Sequence, residues 1–318
     1  MRDLDVVTIG SVMAEISPPQ HSVRVTGAES LVIVQAGSAT TFSLAFVKLG
    51  GRLGLISRIG DDEIGHWMRD TLDDAGVDTS EIRIVPDQAT PVSLASVDAL
   101  GRKTFAYYRF PGFSEPLGAL RSEDVPDAYL QRAKVFDLTE SSLRSPGSRS
   151  MALDIVRRAR ALGCLVCVNP NYRPTAWAGG ADEARAVLKA AIELADLAIM
   201  NGEEARLISG ARSVNDAAVW LSESGPDLSV VTQGEAPTLI VSPEEISEAP
   251  IIPATVVFDI GAGDTFHAGF LATYAEGSDV LDCVRFATQA AALKIQRPPQ
   301  IDQLPTRDEV NAALATLG

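Results

Sequence analysis

Short β-branched runs alternate along this chain with longer segments of helical periodicity, and this alternation most restricts the possible fold. The predicted strands are 5–9, 52–59, 135–138, 165–168, 197–200 and 230–232, and the predicted helices are 40–49, 64–75, 151–162, 181–195, 214–224, 265–274, 280–293 and 307–317. Strands separated by helices pair in parallel, and the helices then cover both faces of the sheet. With 318 residues, 46% of them hydrophobic, the chain can form one large α/β domain. We therefore predict a doubly wound, mostly parallel sheet in a single domain over residues 1–318.

Four further strands interrupt this alternation because no helix separates them. They are 12–16 with 31–34, and 92–98 with 103–109, and residues 99–102 suit a hairpin connection. Strands without crossover helices do not join a parallel sheet. We therefore predict a small separate sheet, inserted from about 12–35 and 90–112, that serves as a lid beside the strand-end crevice and as the contact of a homodimer.

Charge and composition argue against several classes of protein. The net charge is -15 and the basic residues are scattered, which disfavours a nucleic-acid partner. No window approaches eighteen apolar residues and the first residues lack a signal-peptide pattern, so we expect no membrane span and a cytoplasmic protein. An odd cysteine count disfavours a disulfide framework. Cys164 and Cys167 form a CxxC in a strand-like run, but without a second ligand pair, and His21, His66 and His267 lack metal-ligand spacing.

A Gly-Ala-Gly turn over residues 261–263 precedes Asp264 and an apolar helix. Small residues let backbone N–H groups surround an anion, and the helix N-terminus adds about half a positive charge there. Asp264 could accept the proton of a substrate hydroxyl while these N–H groups hold phosphates. The alternative for Asp264 is a helix N-cap. The turn predicts a phosphoryl-transfer site, and the sequence contains neither a GxxxxGK[ST] motif nor a strand followed by GxGxxG.

An earlier glycine pattern, Ala36-Gly37-Ser38-Ala39-Thr40-Thr41, is followed by Gly50 and Gly60. Together with Gly261-Ala262-Gly263-Asp264-Thr265-Phe266, it resembles the two signatures of the ribokinase-like (PfkB) carbohydrate kinases, and the resemblance spans nearly the whole chain. It implies a ribokinase-like fold. It also implies an enzyme that transfers a phosphoryl group from ATP, with Mg²⁺, to a hydroxymethyl group of a small sugar or sugar acid.

The resemblance also assigns roles to individual residues. Asp264 would be the catalytic base, and Gly261, Ala262 and Gly263 would form the anion hole. The residues on the sugar side would be Glu15, Gly37, Ser38, Thr41, Tyr107, Arg109 and Arg173. The residues on the ATP side would be Asn169, Asn201, Glu204, Thr232 and Gly234, with Glu204 organising Mg²⁺ through water. Since side chains alternate along a strand, only one of Tyr107 and Tyr108 can face the pocket, and the sequence leaves open which one.

Two segments are similar to parts of 2-keto-3-deoxygluconate kinases and some bacterial fructokinases. They are Phe105-Ala106-Tyr107-Tyr108-Arg109 and the loop from Asn169 to Trp177. In the first group both arginines, here Arg109 and Arg173, face the substrate carboxylate, and a guanidinium fork suits a carboxylate or a phosphate. The structural alternatives are an exposed strand residue for Arg109 and a loop ion pair for Arg173.

Four positions depart from the family's pattern. Thr41 stands where Asn is usual, which removes a donor toward the sugar. Phe258 stands where an Asp helps bind a potassium-like cation, so we expect potassium to matter less here. Pro237 replaces the second glycine of a Thr-x-Gly-x-x-Gly turn that begins at Thr232. Ser93 replaces a lid tyrosine of some 2-keto-3-deoxygluconate kinases.

Two rival functions stay open on the sequence alone. One is a nucleoside kinase of the same fold, which would need an aromatic or apolar slot beneath the lid. The other is a catalytically silent sugar-binding sensor, suggested by Thr41 and Phe258. ATP turnover across a panel of sugars would separate a kinase from a sensor.

Overall fold

The structure is a computed structural model that describes residues 2–20, 22–98, 103–108, 116–298 and 303–316. Its strands are β1 (Leu4–Ile9), β2 (Met13–Ser17), β3 (Val32–Ala36), β4 (Leu53–Gly60), β5 (Ile82–Val85), β6 (Val92–Val97), β7 (Lys103–Tyr108), β8 (Ala133–Thr139), β9 (Leu165–Asn169), β10 (Leu197–Asn201), β11 (Leu228–Gln233), β12 (Ala236–Val241) and β13 (Ile246–Ala249).

The α-helices follow the predicted segments closely, with two additions. They are α1 (Ser38–Lys48), α2 (Glu63–Asp74), α3 (Asp127–Leu130), α4 (Pro146–Ala161), α5 (Gly180–Ile192), α6 (Gly202–Ser209), α7 (Val214–Glu223), α8 (Ala262–Tyr274), α9 (Val280–Ile295) and α10 (Arg307–Ala315). The sequence pattern did not predict α6 or the short helix α3. Among these helices, none combines the length and the apolar character needed to cross a bilayer.

A nine-stranded sheet forms the centre of the molecule, in the order β13-β12-β11-β10-β9-β8-β1-β4-β5. Every pair from β11 to β5 is parallel, whereas β12 and β13 are added antiparallel at one edge. Parallel pairing follows from the helices that separate most of these strands along the chain. The predicted mostly parallel sheet is confirmed.

The two faces of this sheet carry separate hydrophobic cores. Val6 and Val7 are neighbours in β1 and both are fully buried, but they belong to different cores. Val7 packs in the core that α4 to α7 cover, and Val6 packs in the core that α1, α2, α8 and α9 cover. Successive strand residues point to opposite faces, so this division confirms the predicted helices on both faces.

The four strands that lack intervening helices form a second sheet in the order β3-β2-β6-β7. β2 pairs with β3 antiparallel and with β6 in parallel, and β6 pairs with β7 antiparallel. This confirms the predicted small separate sheet. The predicted connection at 99–102 and the end of the predicted strand at Arg109 lie outside the described residues.

Strands β5, β12 and β13 were missed by the sequence pattern. Strand β12 contains Pro237, and proline lacks the N–H group that a strand interior needs. The β11–β12 register shifts between Val231 and Gln233, and Gln233 Nε2 donates to the Pro237 carbonyl oxygen (2.6 Å). This irregular register accommodates Pro237 beside the turn. The sequence pattern did not reveal the irregularity.

Candidate active site

Two helix N-termini meet where the small sheet approaches the ends of the parallel strands. Helix α1 begins after Gly37 and α8 begins after Gly261, and both glycines have positive φ angles, 88° and 85°. A Cβ atom on Gly261 would lie 3.2 Å from Thr41 Cγ2. Glycine is required at these turns because other residues rarely adopt such φ angles. The two turns therefore bring Ser38 and Asp264 into contact.

Asp264 lies in the first turn of α8 and is half-buried. Its Oδ1 atom accepts hydrogen bonds from Ser38 Oγ (2.5 Å) and from Asn171 Nδ2 (3.2 Å). The cap position of α8 is Gly261, so the alternative of an N-cap aspartate is wrong. Burial raises the pKa of Asp264 above its usual range, opposed by the Ser38 hydrogen bond and then by the positive charge of Arg173. A carboxylate with a raised pKa in a cleft is well suited to accept a proton.

One cleft, here called the small-sheet cleft, lies between the small sheet and the start of α1 and α8. Of the residues predicted for the sugar side, it is bordered by Glu15, Gly37, Ser38, Thr41 and Arg173. Asp264 and Gly261 form its inner end. It is also bordered by residues to which the sequence assigned no role, namely Met13, Gln35, Phe105, Glu140, Ser141, Arg144, Asn171 and Lys294.

Glu15 forms part of the wall of this cleft. It lies on β2, opposite Val34 of β3 and Ser93 of β6, and only 6% of its surface is exposed. Burial raises the pKa of Glu15 to about 7, and the positive charge of Lys294 opposes the shift. Glu15 can therefore exist as carboxylate or acid near neutral pH.

A second cleft, here called the strand-end cleft, follows the carboxyl ends of β9, β10 and β11. It is bordered by every residue predicted for the ATP side, Asn169, Asn201, Glu204, Thr232 and Gly234, and by the turn Gly261, Ala262 and Gly263. Asp264, Asn171, Phe105 and Arg173 border both clefts. Ligands in open α/β sheets bind at this end of the strands.

The first turn of α8 opens into the strand-end cleft. The first N–H groups of a helix have no carbonyl acceptor within the helix, and they carry partial positive charge. One difference from the predicted anion hole is that the Ala262 N–H donates to the Asp259 carbonyl oxygen (3.2 Å). The predicted anion hole then relies on the N–H groups of Gly261 and Gly263.

Asn201 and Glu204 form a capping box at the start of α6. Asn201 Oδ1 accepts from the Glu204 N–H (2.9 Å), and the Glu204 carboxylate accepts from the N–H groups of Asn201 (3.0 Å) and Tyr172 (2.9 Å). Burial raises the pKa of Glu204 to about 7, opposed first by the Asn201 N–H. Glu204 borders the strand-end cleft, and a carboxylate already bound by N–H groups suits contact with Mg²⁺ through water.

Asn169 borders the strand-end cleft, as predicted, and its amide also takes part in a buried polar network. Its Nδ2 lies 2.5 Å from His267 Nδ1, and its Oδ1 accepts from the Asn171 N–H (3.2 Å). On the far side, His267 Nε2 lies 3.0 Å from the buried Asp137 Oδ1. The amide of Asn169 thus joins a buried polar chain that ends at Asn171, which donates to Asp264. These contacts connect Asn169 to the loop that lies beside Asp264.

Cys167 and His267 come together in this buried chain although their spacing in sequence gave no sign of it. The ligand-type atoms of Asp137, Cys167 and His267 all lie within 4.8 Å of one another. Burial raises the pKa of the Cys167 thiol, which keeps it protonated. Cys164 faces elsewhere, toward the carbonyl oxygens of Leu130 and Ala133. The two cysteines of the CxxC therefore do not act as a pair.

Among the residues that the structure describes, Arg144 and Arg173 are the arginines that border the small-sheet cleft, and only Arg173 was predicted. Arg173 is exposed, and its Cζ lies 6.0 Å from the centre of the Phe105 ring. Its place between the two clefts differs from the prediction of a purely sugar-side residue. Arg144 donates through Nε to Glu140 (2.7 Å), and burial raises the pKa of Glu140. Arg109 and the side chains of both predicted tyrosines, Tyr107 and Tyr108, lie outside the described residues.

The sequence of the whole chain is similar to proteins of established activity. The sequence model described as pfkB family carbohydrate kinase matches residues 3–307. The chain is 25% identical to the aminoimidazole riboside kinase of Salmonella typhimurium, with 98% of this chain and 95% of that protein covered. It is 24% identical to the 5-dehydro-2-deoxygluconokinase of Shouchella clausii, at 98% and 95% coverage, and 33% identical to the fructokinase of Klebsiella pneumoniae, at 77% and 78% coverage.

The fold is also similar to solved structures. A putative ribokinase II from E. coli, solved in complex with ATP and Mg²⁺, superimposes with a TM-score of 0.87 at 23% identity and covers 98% of this chain and 99% of that one. At this level of identity the likeness concerns the fold. It confirms the ribokinase-like architecture that the two glycine signatures predicted.

Proposed function

The chain belongs to the pfkB family of carbohydrate kinases, and we propose that it transfers the γ-phosphoryl group of ATP to a hydroxymethyl group of a small sugar or sugar acid. One observation carries the proposal. The small-sheet cleft and the strand-end cleft meet at Asp264, which borders both. A sugar in the first cleft and a nucleotide in the second would bring hydroxyl, base and phosphoryl group together.

The residues at this junction divide the chemistry between them. Asp264 takes the proton of the attacking hydroxyl, and Ser38 and Asn171 hold its carboxylate in place. The N-terminus of α8, after Gly261, stabilises negative charge on the transferred phosphoryl group. Phosphoryl transfer has a loose transition state, so positioning and electrostatics supply most of the catalysis.

ATP and Mg²⁺ fit the donor groups of the strand-end cleft. Its floor offers the oxygens of Glu204, Thr232 and Asn201, and its end offers the N–H groups of the α8 turn. Mg²⁺ prefers oxygen ligands and keeps several waters, and when bound it neutralises charge on the phosphates. Glu204 would hold such a hydrated ion through its water ligands, because each of its oxygens already accepts an N–H.

Residues 1–318 form a single kinase domain in this proposal, with the small sheet as its lid. The wall of the small-sheet cleft is polar and of mixed charge, with Glu15 and Glu140 against Arg144 and Arg173. Carboxylates suit the hydroxyl groups of a sugar, and a guanidinium suits an acidic group. A neutral sugar and a sugar acid derivative are also the substrates named in two relatives, the fructokinase of Klebsiella pneumoniae and the 5-dehydro-2-deoxygluconokinase of Shouchella clausii.

A screen of acceptors tests the function. ADP release would be followed with ketohexoses, pentoses, nucleosides and 2-keto-3-deoxy sugar acids. We expect turnover with a sugar or a sugar acid. Turnover confined to nucleosides would favour the nucleoside kinase suggested by the aminoimidazole riboside kinase relative. Sugar binding without ADP release would indicate a silent sensor and contradict the proposal.

The pH dependence of sugar binding tests Glu15. As a carboxylate it accepts hydrogen bonds from sugar hydroxyls, and its pKa of about 7 means that it becomes protonated as the pH falls. The KM for the sugar should therefore rise about tenfold from about pH 8 to about pH 6, following the ionised fraction. Glu15→Gln should abolish this slope and hold the KM near its value at low pH. An identical slope in Glu15→Gln would assign the titration to another group, such as Glu204.

The exposed face of the small sheet supports a homodimer formed through the lid. β3 is an edge strand, and Ile33 on it and Leu31 just before it are 52% and 45% exposed. Exposed apolar side chains on a sheet edge suit an interface with a second copy. We expect light scattering to give a dimer mass for the wild type and a monomer mass for Ile33→Glu. Val219 of α7, 49% exposed, gives the matched control: Val219→Glu should remain a dimer, and a monomeric wild type would contradict the interface.

The cytoplasm is the compartment that we propose for this enzyme. Its phosphoryl donor, ATP, is available there. Cys164, Cys167 and Cys283 are all free thiols and are buried, as is usual in a reducing compartment.

A further inference from the structure

The segment before the phosphoryl turn is tied to the end of α9 by a buried lysine. Lys294 is 5% exposed, and its Nζ donates to the carbonyl oxygens of Phe258 (2.9 Å) and Ile260. The N–H groups of Val257 and Phe258 donate in turn to the carbonyl oxygen of Ile295, at 2.7 and 2.9 Å. The last turn of α9 is therefore hydrogen-bonded both to carbonyl oxygens and to N–H groups of this segment.

The surroundings of the ammonium group are those of a bound cation. Two backbone carbonyls converge on it, and it lies 4.7 Å from the centre of the Phe258 ring, within the range of a cation–π interaction. It also lies near the C-terminus of its own helix, where positive charge is favoured. A buried charge is costly unless it is compensated in this way.

The position of these carbonyls affects the anion hole directly. In a trans peptide the C=O and the N–H of one unit point in opposite directions. When Lys294 holds the Ile260 carbonyl, it also sets the direction of the Gly261 N–H, at the cap of α8. Gly261 packs against the same side chain, since a Cβ there would lie 3.6 Å from Lys294 Cε.

A free monovalent cation does not fit this set of groups. The family resemblance implies such a cation, with a carboxylate ligand at position 258, where this chain has Phe258. A phenylalanine ring supplies no hard oxygen ligand. The Phe258 and Ile260 carbonyl oxygens, which are ligands of the kind a cation needs, are held by Lys294 Nζ.

We propose that the Lys294 ammonium replaces a free monovalent cation and holds the 258–261 turn in its catalytic geometry, so that this enzyme works without potassium. The proposal rests on the proposed kinase function. Lys294 is a positioning residue in this account, because it acts through the backbone of the turn. Its charge and its length are both required, since the ammonium must reach two carbonyls at once.

The test compares wild type and Lys294→Met in chloride salts of potassium, ammonium and N-methylglucamine at equal ionic strength. The wild-type kcat should vary by less than about twofold among them, because no ion site is left to fill. Lys294→Met should lose about tenfold in N-methylglucamine, equivalent to about 1.4 kcal/mol, and regain activity with the two small cations. The double variant Phe258→Asp/Lys294→Met restores a carboxylate and should show the strongest response to potassium.

Control variants separate charge from packing. Lys189 also lies over an aromatic ring, 5.3 Å from the centre of Trp220, but away from both clefts, so Lys189→Met should keep full activity in every salt. Lys294→Gln retains a hydrogen-bond donor without the charge and should behave like Lys294→Met. Wild-type activity in Lys294→Gln, a strong potassium stimulation of the wild type, or a Lys294→Met loss that no small cation reverses would each overturn the proposal.

A binding measurement keeps this test independent of the proposed function. The affinity for ATP with Mg²⁺, measured by calorimetry in the same salts, should depend on potassium in Lys294→Met and not in the wild type. If the wild type turned over no sugar, the kinase proposal would fail while this comparison could still be read. If sugar turnover were normal and potassium-dependent in the wild type, the lysine proposal alone would fail.

Discussion

Asp264→Asn is expected to lower kcat by about 10² or more, the size typical of a lost general base. Asparagine has nearly the same shape, and its Oδ1 can still accept from Ser38 and Asn171, so the local structure should persist. The amide has no basic oxygen that can take the proton of a sugar hydroxyl. The affinity for ATP should be unchanged or slightly higher, because the substitution removes a negative charge near the phosphates.

A second aspartate provides the control for this substitution. Asp282 lies in the first turn of α9, as Asp264 does in α8, but it is exposed and borders neither cleft. Asp282→Asn removes a comparable interaction with a helix N-terminus and should leave kcat unchanged. Single-turnover rates with the acceptor found in the screen would give the comparison. A near wild-type rate for Asp264→Asn would show that another group takes the proton.

The parts of the site that were predictable from the sequence are those that local structure determines. A glycine turn and the helix that follows it lie within a few residues, so Gly37, Gly261 and Asp264 could be identified from their motifs. The fold was predictable for a similar reason, since alternating strand and helix patterns specify a parallel sheet. The antiparallel strand β12 was missed. It contains Pro237, which is unusual inside a strand, and its pairing with β11 is irregular.

The parts that were missed depend on contacts between distant segments. Lys294 appears in the sequence as one more charged residue of an amphipathic helix, and its role follows only from the meeting of α9 with the 258–261 turn. The link from Asp137 through His267 to Asn169 joins β8, α8 and β9. No spacing rule connects these residues, because the sheet order that unites them is a tertiary property.

Glu140 and Arg144 show the same limit at shorter range. They are four residues apart, which on its own suggests an ordinary surface ion pair. In the structure Glu140 is 2% exposed and also accepts from Trp177 Nε1, while Arg144 borders the small-sheet cleft. The pair is therefore part of the cleft wall. The sequence did not show that Glu140, just after strand β8, would be buried.

Arg173→Ala is expected to raise the KM for an acidic sugar about thirtyfold, or about 2 kcal/mol, and to affect a neutral ketohexose much less. The reason is that Arg173 borders the small-sheet cleft and can pair with a substrate carboxylate. Arg173 also borders the strand-end cleft, and its charge opposes the rise that burial causes in the pKa values of Asp264 and Glu204. The alternative role for this arginine is contact with the transferred phosphoryl group.

Kinetic constants distinguish these two roles of Arg173. A carboxylate contact changes the KM for the acid alone, whereas a contact with the phosphoryl group in the transition state lowers kcat for acidic and neutral sugars equally. Arg173→Lys is the matched control because it keeps the charge and loses the planar fork, so it should recover part of the affinity for the acid. An unchanged ratio of the two KM values in Arg173→Ala would remove the sugar-acid assignment. The acceptor would then be a neutral sugar, as the fructokinase relative suggests, with Glu15 rather than Arg173 setting its specificity.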